Sequence, residues 1–304
     1  MQTVPDSADE ARRHGSPAAG RIRPRPRPAG RWLHFPRHRA YDGPDAQTRR
    51  HPNEALLIED PDRLTIQTLR EMTGPPGGAT LEIGCGDGRL SAGLSGGARR
   101  YVAVDPDRSA IVTARARVAN AGFCAASGEA LPFGADSFDR VLFTLSLHHQ
   151  DSRRALAEAR RVLRPGGRIV AVEPLDDGEV ERLCNIFHDE GADLAAAVKA
   201  VAESGLVREA ETVIEPPWVF EDRRDVLRWL FDYYDRGSDA ALERRVDAFL
   251  GERRTARPIV LMDRLVAFRL REPDDSFESS VPPGGAVPGG PSGQPPRPQR
   301  REGP

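Results

Sequence analysis

The sequence is poor in lysine, cysteine and aromatic residues. Lys199 is the only lysine among 304 residues, and aromatic residues make up 6% of the chain. The three cysteines, Cys85, Cys124 and Cys184, are scattered and odd in number, so we predict a reducing compartment, no disulfide and no metal site. Neither an apolar run of membrane-spanning length nor the apolar core of a signal peptide is present, so the expected location is the cytoplasm.

Charge is nearly balanced, and proline is concentrated at the two ends of the chain. The formal net charge of −2 provides no overall field that attracts nucleic acid or anionic lipid. Eight of the 27 prolines fall in residues 1–52 and nine fall in residues 273–304. We therefore predict a largely disordered Arg/Pro-rich arm over residues 1–52, one folded domain over residues 53–271, and a disordered tail over residues 272–304. The arm could bind nucleic acid or an acidic partner, or it could simply reflect the use of arginine at nearly every basic position.

A glycine-rich turn follows a short apolar run in the segment LEIGCGDGRL, residues 81–90. A strand followed by such a turn cradles a phosphate or amino-acid group in doubly wound α/β folds. The dinucleotide fingerprint needs its third glycine three positions after the second, but Gly88 comes only two positions after Gly86. Glu82 would repel a pyrophosphate, whereas it suits a ligand that carries an ammonium group. The turn therefore favours S-adenosylmethionine over NAD.

Strands and helices alternate after this turn. Buried strands are predicted at residues 79–83, 101–105, 123–126, 140–145 and 168–172. Asp105 ends the second of them, about where a carboxylate holds the two ribose hydroxyls in such folds. Asp107 and Asp151 are predicted to cap the helices that follow them. This alternation predicts a parallel sheet with helices on both faces.

The flanks of this alternating region are less regular. Asn53 is predicted to cap a short helix that extends to Ile58. Beyond Pro174, apolar residues recur at helical spacing. Two further strands are predicted there, at residues 206–220 and 259–270.

Four motifs together resemble those of class I S-adenosylmethionine-dependent methyltransferases. They are LEIGCGDG, VAVDPD, EALPF with DSFD, and RVLRPGGRIVAVEP. The chain looks like the small-molecule branch, which includes the ubiquinone/menaquinone methyltransferases, by motifs over residues 53–174 and by architecture only over residues 175–271. The resemblance implies a doubly wound, Rossmann-like α/β fold with a seven-stranded sheet, mostly parallel with a C-terminal antiparallel hairpin. The last two predicted strands would form that hairpin, with the helices between them inserted over the sheet edge.

The resemblance also implies a site for S-adenosylmethionine. Its predicted cofactor-binding residues are Glu82, Gly84, Cys85, Gly86, Asp105, Pro106, Ser127, Gly128, Glu129 and Thr144. Gly84 and Gly86 would let the backbone approach the methionine moiety, with Glu82 at the edge of that pocket. Asp105 would hold the ribose. Ser127 stands where the family usually has an acidic residue that accepts from the adenine amine, so adenine binding is expected to depend more on backbone groups and apolar packing.

Two residues are predicted to be catalytic, His148 and Glu173. Methyl transfer from a sulfonium is an in-line displacement with a good leaving group, so a base is needed only for an acceptor that arrives protonated. In this fold His148 and His149 would face the methyl group, where His148 could deprotonate or hydrogen-bond a phenol or enol; a helix cap or packing under the loop is its alternative role. Glu173 would bind or polarise the acceptor, or hydrogen-bond nearby backbone.

The leading prediction is a methyltransferase that acts on a small, cyclic or lipophilic acceptor. The glycine spacing disfavours an NAD-type oxidoreductase. The segment Leu145–His149 lacks the Asn-Pro-Pro-aromatic-like motif usual in base-modifying enzymes, which disfavours a nucleic-acid methyltransferase that uses the arginine arm. A non-catalytic module that binds a cofactor or a partner is the remaining alternative, because this chemistry has no obligatory nucleophile. The oligomeric state is not predicted.

Overall fold

The computed structural model describes residues 57–273, so the predicted arm and nearly all of the predicted tail lie outside the described residues. The strands are β1 (Leu57–Glu59), β2 (Ala79–Ile83), β3 (Arg100–Asp105), β4 (Gly122–Ala125), β5 (Phe138–Thr144), β6 (Leu163–Pro174), β7 (Val207–Ile214), β8 (Pro217–Phe220), β9 (Ile259–Met262) and β10 (Leu265–Arg271). The α-helices are α1 (Leu64–Thr73), α2 (Arg89–Leu94), α3 (Arg108–Arg117), α4 (Ser152–Val162), α5 (Glu179–Cys184), α6 (Gly191–Glu203), α7 (Arg223–Tyr233) and α8 (Ala240–Leu250).

Seven of the strands form one sheet in the order β4-β3-β2-β5-β6-β10-β7. The strands from β2 to β6 pair in parallel, and β10 runs antiparallel to both of its neighbours. The strand order reverses at β2 and β5, and ligands of doubly wound folds bind at such a switch point, beyond the carboxyl ends of the strands. The predicted α/β fold, mostly parallel with one antiparallel pair at the end, is confirmed.

Both faces of the sheet are covered. Every residue of β2 is buried, as expected of a parallel strand with helices on both sides. Side chains of β5 alternate between two hydrophobic clusters: Val141 and Phe143 belong to one, and Leu142 belongs to the other. Helix α1 packs in the second cluster, through Leu69 and Met72. The two clusters hold the strands in place and so fix the positions of the loops at their carboxyl ends.

The predicted terminal strands each consist of two strands in different sheets. Residues 206–220 contain β7 and β8, and residues 259–270 contain β9 and most of β10. β7 and β10 pair antiparallel at the edge of the main sheet, as predicted, whereas β8 and β9 join β1 in a separate three-stranded antiparallel sheet. The helix predicted to reach Ile58 is wrong over residues 57 and 58, because Leu57–Glu59 pairs with β8.

The segment between β7 and β10 has a hydrophobic core of its own. Helices α7 and α8 pack on the small sheet, and Phe220 and Leu230 are fully buried in this third cluster. Each of the two helices begins at an aspartate, Asp222 or Asp239, whose carboxylate accepts backbone N–H groups of the first turn. Within residues 57–273, no helix has the length and apolar character needed to cross a membrane.

Candidate functional site

The glycine turn after β2 is shaped by close packing on one side and open space on the other. Gly84 has φ +74°, and a Cβ added there would collide with the Cβ of Ser146. Gly86 has φ +53°, and the position of its absent Cβ has no atom within 4 Å. No L-residue fits readily at either position. The backbone at Gly86 is therefore accessible to a ligand, while the backbone at Gly84 is fixed against the next loop.

The predicted ribose residue lies beside this turn. The two oxygens of Asp105 accept from the backbone N–H groups of Gly86 and Asp107, both at 2.9 Å. Burial raises the pKa of Asp105, and the hydrogen bonds from Asp107 and Gly86 oppose that rise. The backbone of Gly84 and Cys85 also donates to the Val104 carbonyl, at 2.8 and 3.1 Å. The structure thus brings together the turn and the carboxylate, which are 19 residues apart in the sequence.

Glu82 lies beneath the turn and not at the edge of an open pocket. Its side chain is fully buried, and its carboxylate accepts from the hydroxyls of Ser91, Tyr101 (2.9 Å) and Thr144 (2.7 Å). Burial raises its pKa, and these hydroxyl donors oppose that rise. Thr144, which is predicted to bind the cofactor, is itself directed at Glu82. The placement of Glu82 at a pocket edge is therefore corrected, and contact of either residue with a ligand stays a prediction.

Cys85 and Pro106 flank the turn and the aspartate. Cys85 is buried in the cluster beneath the turn, and burial raises the pKa of its thiol. A thiol with a raised pKa stays protonated, and contact of Cys85 with the cofactor stays a prediction. Pro106 is half-buried in the loop between Asp105 and α3.

The loop after β4 carries the three residues predicted to border the adenine. The Ser127 hydroxyl accepts from the Glu129 backbone N–H at 3.2 Å. The Glu129 carboxylate accepts from the backbone N–H of Asp151 at 3.0 Å and pairs with Arg154 at 3.2 Å. Glu129 therefore connects this loop to the start of α4. A Cβ on Gly128 would collide with Gln150 and Ile83, so the chain approaches closely there.

Gln150 is a candidate site residue that carries no sequence signal of its own. Its Nε2 donates to the Ser146 carbonyl at 3.0 Å, which fixes the amide. Its Oε1 is buried beside Gly128 and has no hydrogen-bond partner among the described residues. A buried acceptor without a donor costs free energy, which a ligand N–H would recover.

The loop after β5 is hydrogen-bonded to Glu173, which lies near the end of β6. The Glu173 side chain is fully buried, and its carboxylate accepts from the backbone N–H groups of Ser146 (3.2 Å), Leu147 (2.8 Å) and His148 (3.3 Å). The same carboxylate is 2.5 Å from Nδ1 of His148. Of the two interpretations of Glu173, the hydrogen bond to nearby backbone is the one observed. If Nδ1 of His148 carries the proton, this contact holds the ring by Nδ1–H and directs Nε2 the other way.

The pKa of His148 responds to opposing influences. Burial favours the neutral ring, but the negative charges of Glu173, Glu190 and Glu181 outweigh burial and raise the pKa of His148 above its ordinary value. His149 behaves in the opposite way: burial, then the neighbouring His148 and His188, lower its pKa well below the usual range. Burial and the neighbouring charges therefore move the pKa values of these two adjacent imidazoles in opposite directions.

Three histidines meet at one carboxylate, that of Glu190. The ring nitrogens of His148 (Nε2), His149 (Nδ1) and His188 (Nε2) lie 3.9, 4.0 and 3.9 Å from its oxygens. The rings of His148 and His149 have centroids 3.8 Å apart. Glu190 directly precedes α6, more than 40 residues after the two adjacent histidines, so no sequence motif joins it to them.

Residues 81–171 match the family model described as methyltransferase domain. By sequence, these residues are similar to a methyltransferase domain. The match begins in β2 and ends in β6, so it contains the glycine turn, Asp105, the loop after β4 and His148. The predicted family is confirmed.

The chain is also similar to individual methyltransferases of known sequence. The chain is 33% identical over 125 residues to a demethylmenaquinone methyltransferase from Clavibacter sepedonicus, an alignment that covers 40% of this chain and 51% of the relative. It is 35% identical over 121 residues to the ubiquinone/menaquinone biosynthesis C-methyltransferase UbiE from a Marinomonas species, covering 36% of this chain and 48% of the relative. The chain thus spans about half the length of the curated relatives it matches.

The solved structure is similar in fold. The crystal structure of the YcgJ protein from Bacillus subtilis aligns with a TM-score of 0.53 at 18% identity, covering 69% of this chain and 99% of that chain. At this identity the likeness establishes the fold of the methyltransferase domain and nothing about its acceptor.

Proposed function

We propose that the protein is an S-adenosylmethionine-dependent methyltransferase that transfers a methyl group to a small-molecule acceptor. The observation that carries the proposal is the open backbone at Gly86, hydrogen-bonded to the Asp105 carboxylate at the switch point of the sheet. The methyltransferase-domain match supports it. The names of the relatives, which are quinone-pathway methyltransferases, support an acceptor of small-molecule size.

The residues around the turn fit the parts of S-adenosylmethionine. Asp105 would accept hydrogen bonds from the ribose hydroxyls, and the accessible backbone at Gly86 would approach the methionine moiety. The buried Oε1 of Gln150 would accept from the adenine amine, which compensates for Ser127 in place of an acidic residue. S-adenosylmethionine supplies a methyl group on a positively charged sulfur, with a neutral thioether as leaving group.

The acceptor would bind at His148, His149 and Glu190. Glu173 holds Nδ1 of His148, so Nε2 is the nitrogen that faces the acceptor side. This nitrogen and its neighbours would remove or polarise the proton of an acceptor that arrives protonated. Glu173 is a positioning residue, because its carboxylate is fully buried and its contacts are with His148 and the backbone of the preceding loop. Most of the acceleration would come from alignment of donor and acceptor.

Calorimetric titration with S-adenosylhomocysteine, the reaction product, tests the proposal without knowledge of the acceptor. We expect S-adenosylhomocysteine to bind and NAD not to bind. Asp105→Asn removes the charge that accepts from the ribose and should weaken binding about 10- to 100-fold. Asp239→Asn, which retains the cap of the distant helix α8, is the matched control and should bind as the wild type does. A folded protein that fails to bind S-adenosylhomocysteine would refute the proposal.

A further inference from the structure

We propose that His148, His149 and Glu190 form a binding site for a divalent transition-metal ion, with Glu173 orienting one of the ligands. The binding site stands on its own geometry. The use of the ion in methyl transfer rests on the proposed function. No metal site is predicted from the sequence, because its ligands come from two distant segments.

Two of the distances between the ligand atoms already fit an ion held between the side chains. One ligand atom from each of the three residues lies within 4.8 Å of the other two. Glu190 oxygens are 3.9 Å from Nε2 of His148 and 4.0 Å from Nδ1 of His149, which is too long for a hydrogen bond. Two ligands that are each about 2.1 Å from one ion are at most about 4.2 Å apart. The two distances to Glu190 fall within that limit, and small side-chain rotations would bring all three ligands to the ion.

The Glu190 side chain is oriented toward the histidines. Glu190 directly precedes α6, and its side chain makes no capping hydrogen bond to that helix. All three histidines within residues 57–273 surround this carboxylate instead, with His188 at 3.9 Å and more exposed than the other two. His188 stands where it could supply a fourth ligand.

The contact between Glu173 and His148 is the second, independent observation. A histidine that binds a metal through one ring nitrogen usually donates the other ring N–H to a carboxylate, which fixes the ring and its tautomer. Nδ1 of His148 is 2.5 Å from Glu173, and three backbone N–H groups of the same loop fix that carboxylate. Nε2 of His148 is thereby directed at Glu190, as a metal ligand would be.

The ligand types select the class of ion. Two imidazoles and one carboxylate suit zinc, iron, cobalt or nickel, whereas magnesium and calcium prefer oxygen ligands alone. Three protein ligands leave coordination positions open for an acceptor oxygen. With the ion bound, Nε2 of His148 would be a ligand and not the base, and an acceptor hydroxyl bound to the ion would lose its proton to water more readily. The resulting oxygen anion would attack the methyl carbon, the carbon–sulfur bond would break, and its electron pair would stay on sulfur as neutral S-adenosylhomocysteine.

Cobalt and zinc binding to the full-length protein, freed of metal with a chelator, tests the site. We expect one Co²⁺ per chain, visible as d–d absorption bands that Zn²⁺ abolishes by displacement. Glu190→Gln and His149→Gln should lose this spectrum, and Glu173→Gln should weaken binding about 10- to 100-fold. Glu203→Gln is the matched control, because Glu203 is an exposed carboxylate at the other end of α6. It should bind Co²⁺ as the wild type does.

Titration of the same samples with S-adenosylhomocysteine separates the two proposals. If the wild type binds S-adenosylhomocysteine but neither Co²⁺ nor Zn²⁺, the metal site is refuted and the proposed function stands. Equal Co²⁺ spectra in the wild type and in Glu190→Gln would also refute the site. Variants that retain affinity for S-adenosylhomocysteine but lose the Co²⁺ spectrum are folded, and they would establish the ligands.

Discussion

Three carboxyl groups lie buried near strand ends, and each is stabilised by different partners. Glu82 is surrounded by three hydroxyls, Glu173 by three backbone N–H groups and an imidazole, and Asp263 accepts from the backbone N–H of Arg264 at 2.8 Å. A buried carboxylate with several donors can remain ionised, whereas one with a single donor is more easily protonated. Burial raises the pKa of both Glu82 and Asp263; three side-chain hydroxyls oppose the rise at Glu82, whereas one backbone N–H donates to Asp263.

Asp263 provides the test at the scale of a residue. Burial raises its pKa to about 6, although the Arg264 N–H opposes the rise. The folded protein binds this proton more tightly than the unfolded chain, so the contribution of Asp263 to stability is largest at low pH and is lost as the pH rises through about 6. We expect the free energy of unfolding of Asp263→Asn, measured relative to that of the wild type, to be higher at about pH 8 than at about pH 4, by up to about 3 kcal/mol. Urea denaturation at both pH values measures this, and a pH-independent difference would contradict it.

Gln150 provides a second test at this scale. Its buried Oε1 is assigned to the adenine amine, so the wild type should prefer S-adenosylhomocysteine to its inosine analogue, which has a carbonyl in place of the amine. Gln150→Met keeps the volume but removes the acceptor. We expect it to lose about 1 kcal/mol of affinity for the adenine ligand, about fivefold, with little change for the inosine ligand. Competition calorimetry measures the ratio, and an unchanged preference would show that Gln150 does not contact the purine.

The site residues that sequence could predict are those whose function depends on local spacing. Gly84, Gly86 and Asp105 follow strands at fixed offsets, so a turn motif and one βα unit are enough to place them. Gln150 and Glu190 have no such pattern, because their importance comes from what the fold places beside them: Gly128 in one case and the histidines in the other. Sequence likewise could not show that Glu82 is enclosed by three hydroxyls.

At the scale of elements, the sequence predicted correctly those features that depend only on neighbouring residues in the chain. Asp107 and Asp151 cap α3 and α4, as predicted, because a cap needs only the following turn. Strand β1 has three residues and exists through its pairing with β8, about 160 positions later. The division between β7 and β8 also depends on partners. Pro216 and Pro217 signal a break, but only the pairing of β8 with β1 and β9 shows that it joins another sheet.

The capping of α8 tests how far the inserted helices are independent of the site. The Asp239 carboxylate accepts from the N–H groups of Ala241 and Leu242, at 2.7 and 3.3 Å. Asp239→Ala should reduce the free energy of unfolding by about 1 kcal/mol, and Asp239→Asn should reduce it much less, because asparagine also caps. Both variants should bind S-adenosylhomocysteine as the wild type does. A weakened affinity in Asp239→Ala would show that α8 supports the cofactor site.

At the scale of the whole molecule, two cores on the faces of the main sheet are joined to a third core in the inserted segment. Strands β7 and β8 are separated by two residues, and so are β9 and β10. These short links leave the small sheet little freedom to move relative to the edge of the main sheet. The described part of the chain should therefore unfold in a single transition.

Phe220 tests this coupling. It is fully buried in β8 and packs edge-on against Trp229, with ring centroids 5.9 Å apart. Phe220→Ala should cost about 3 to 5 kcal/mol, and the transition should stay single. Phe231→Ala, at a half-buried position in α7, is the control and should cost less. Circular dichroism and tryptophan fluorescence should then report the same midpoint, and separate midpoints would show that the inserted segment unfolds alone.

The proposed function requires that the turn at Gly86 hold S-adenosylmethionine with its sulfur directed at His148 and His149. A crystal structure of the complex with S-adenosylhomocysteine would show whether it does. We expect the ribose hydroxyls on the Asp105 carboxylate, the adenine beside Gly128 and Gln150, and a sulfur that faces His148 and His149. A ligand bound away from Asp105, or a sulfur directed away from those histidines, would contradict it.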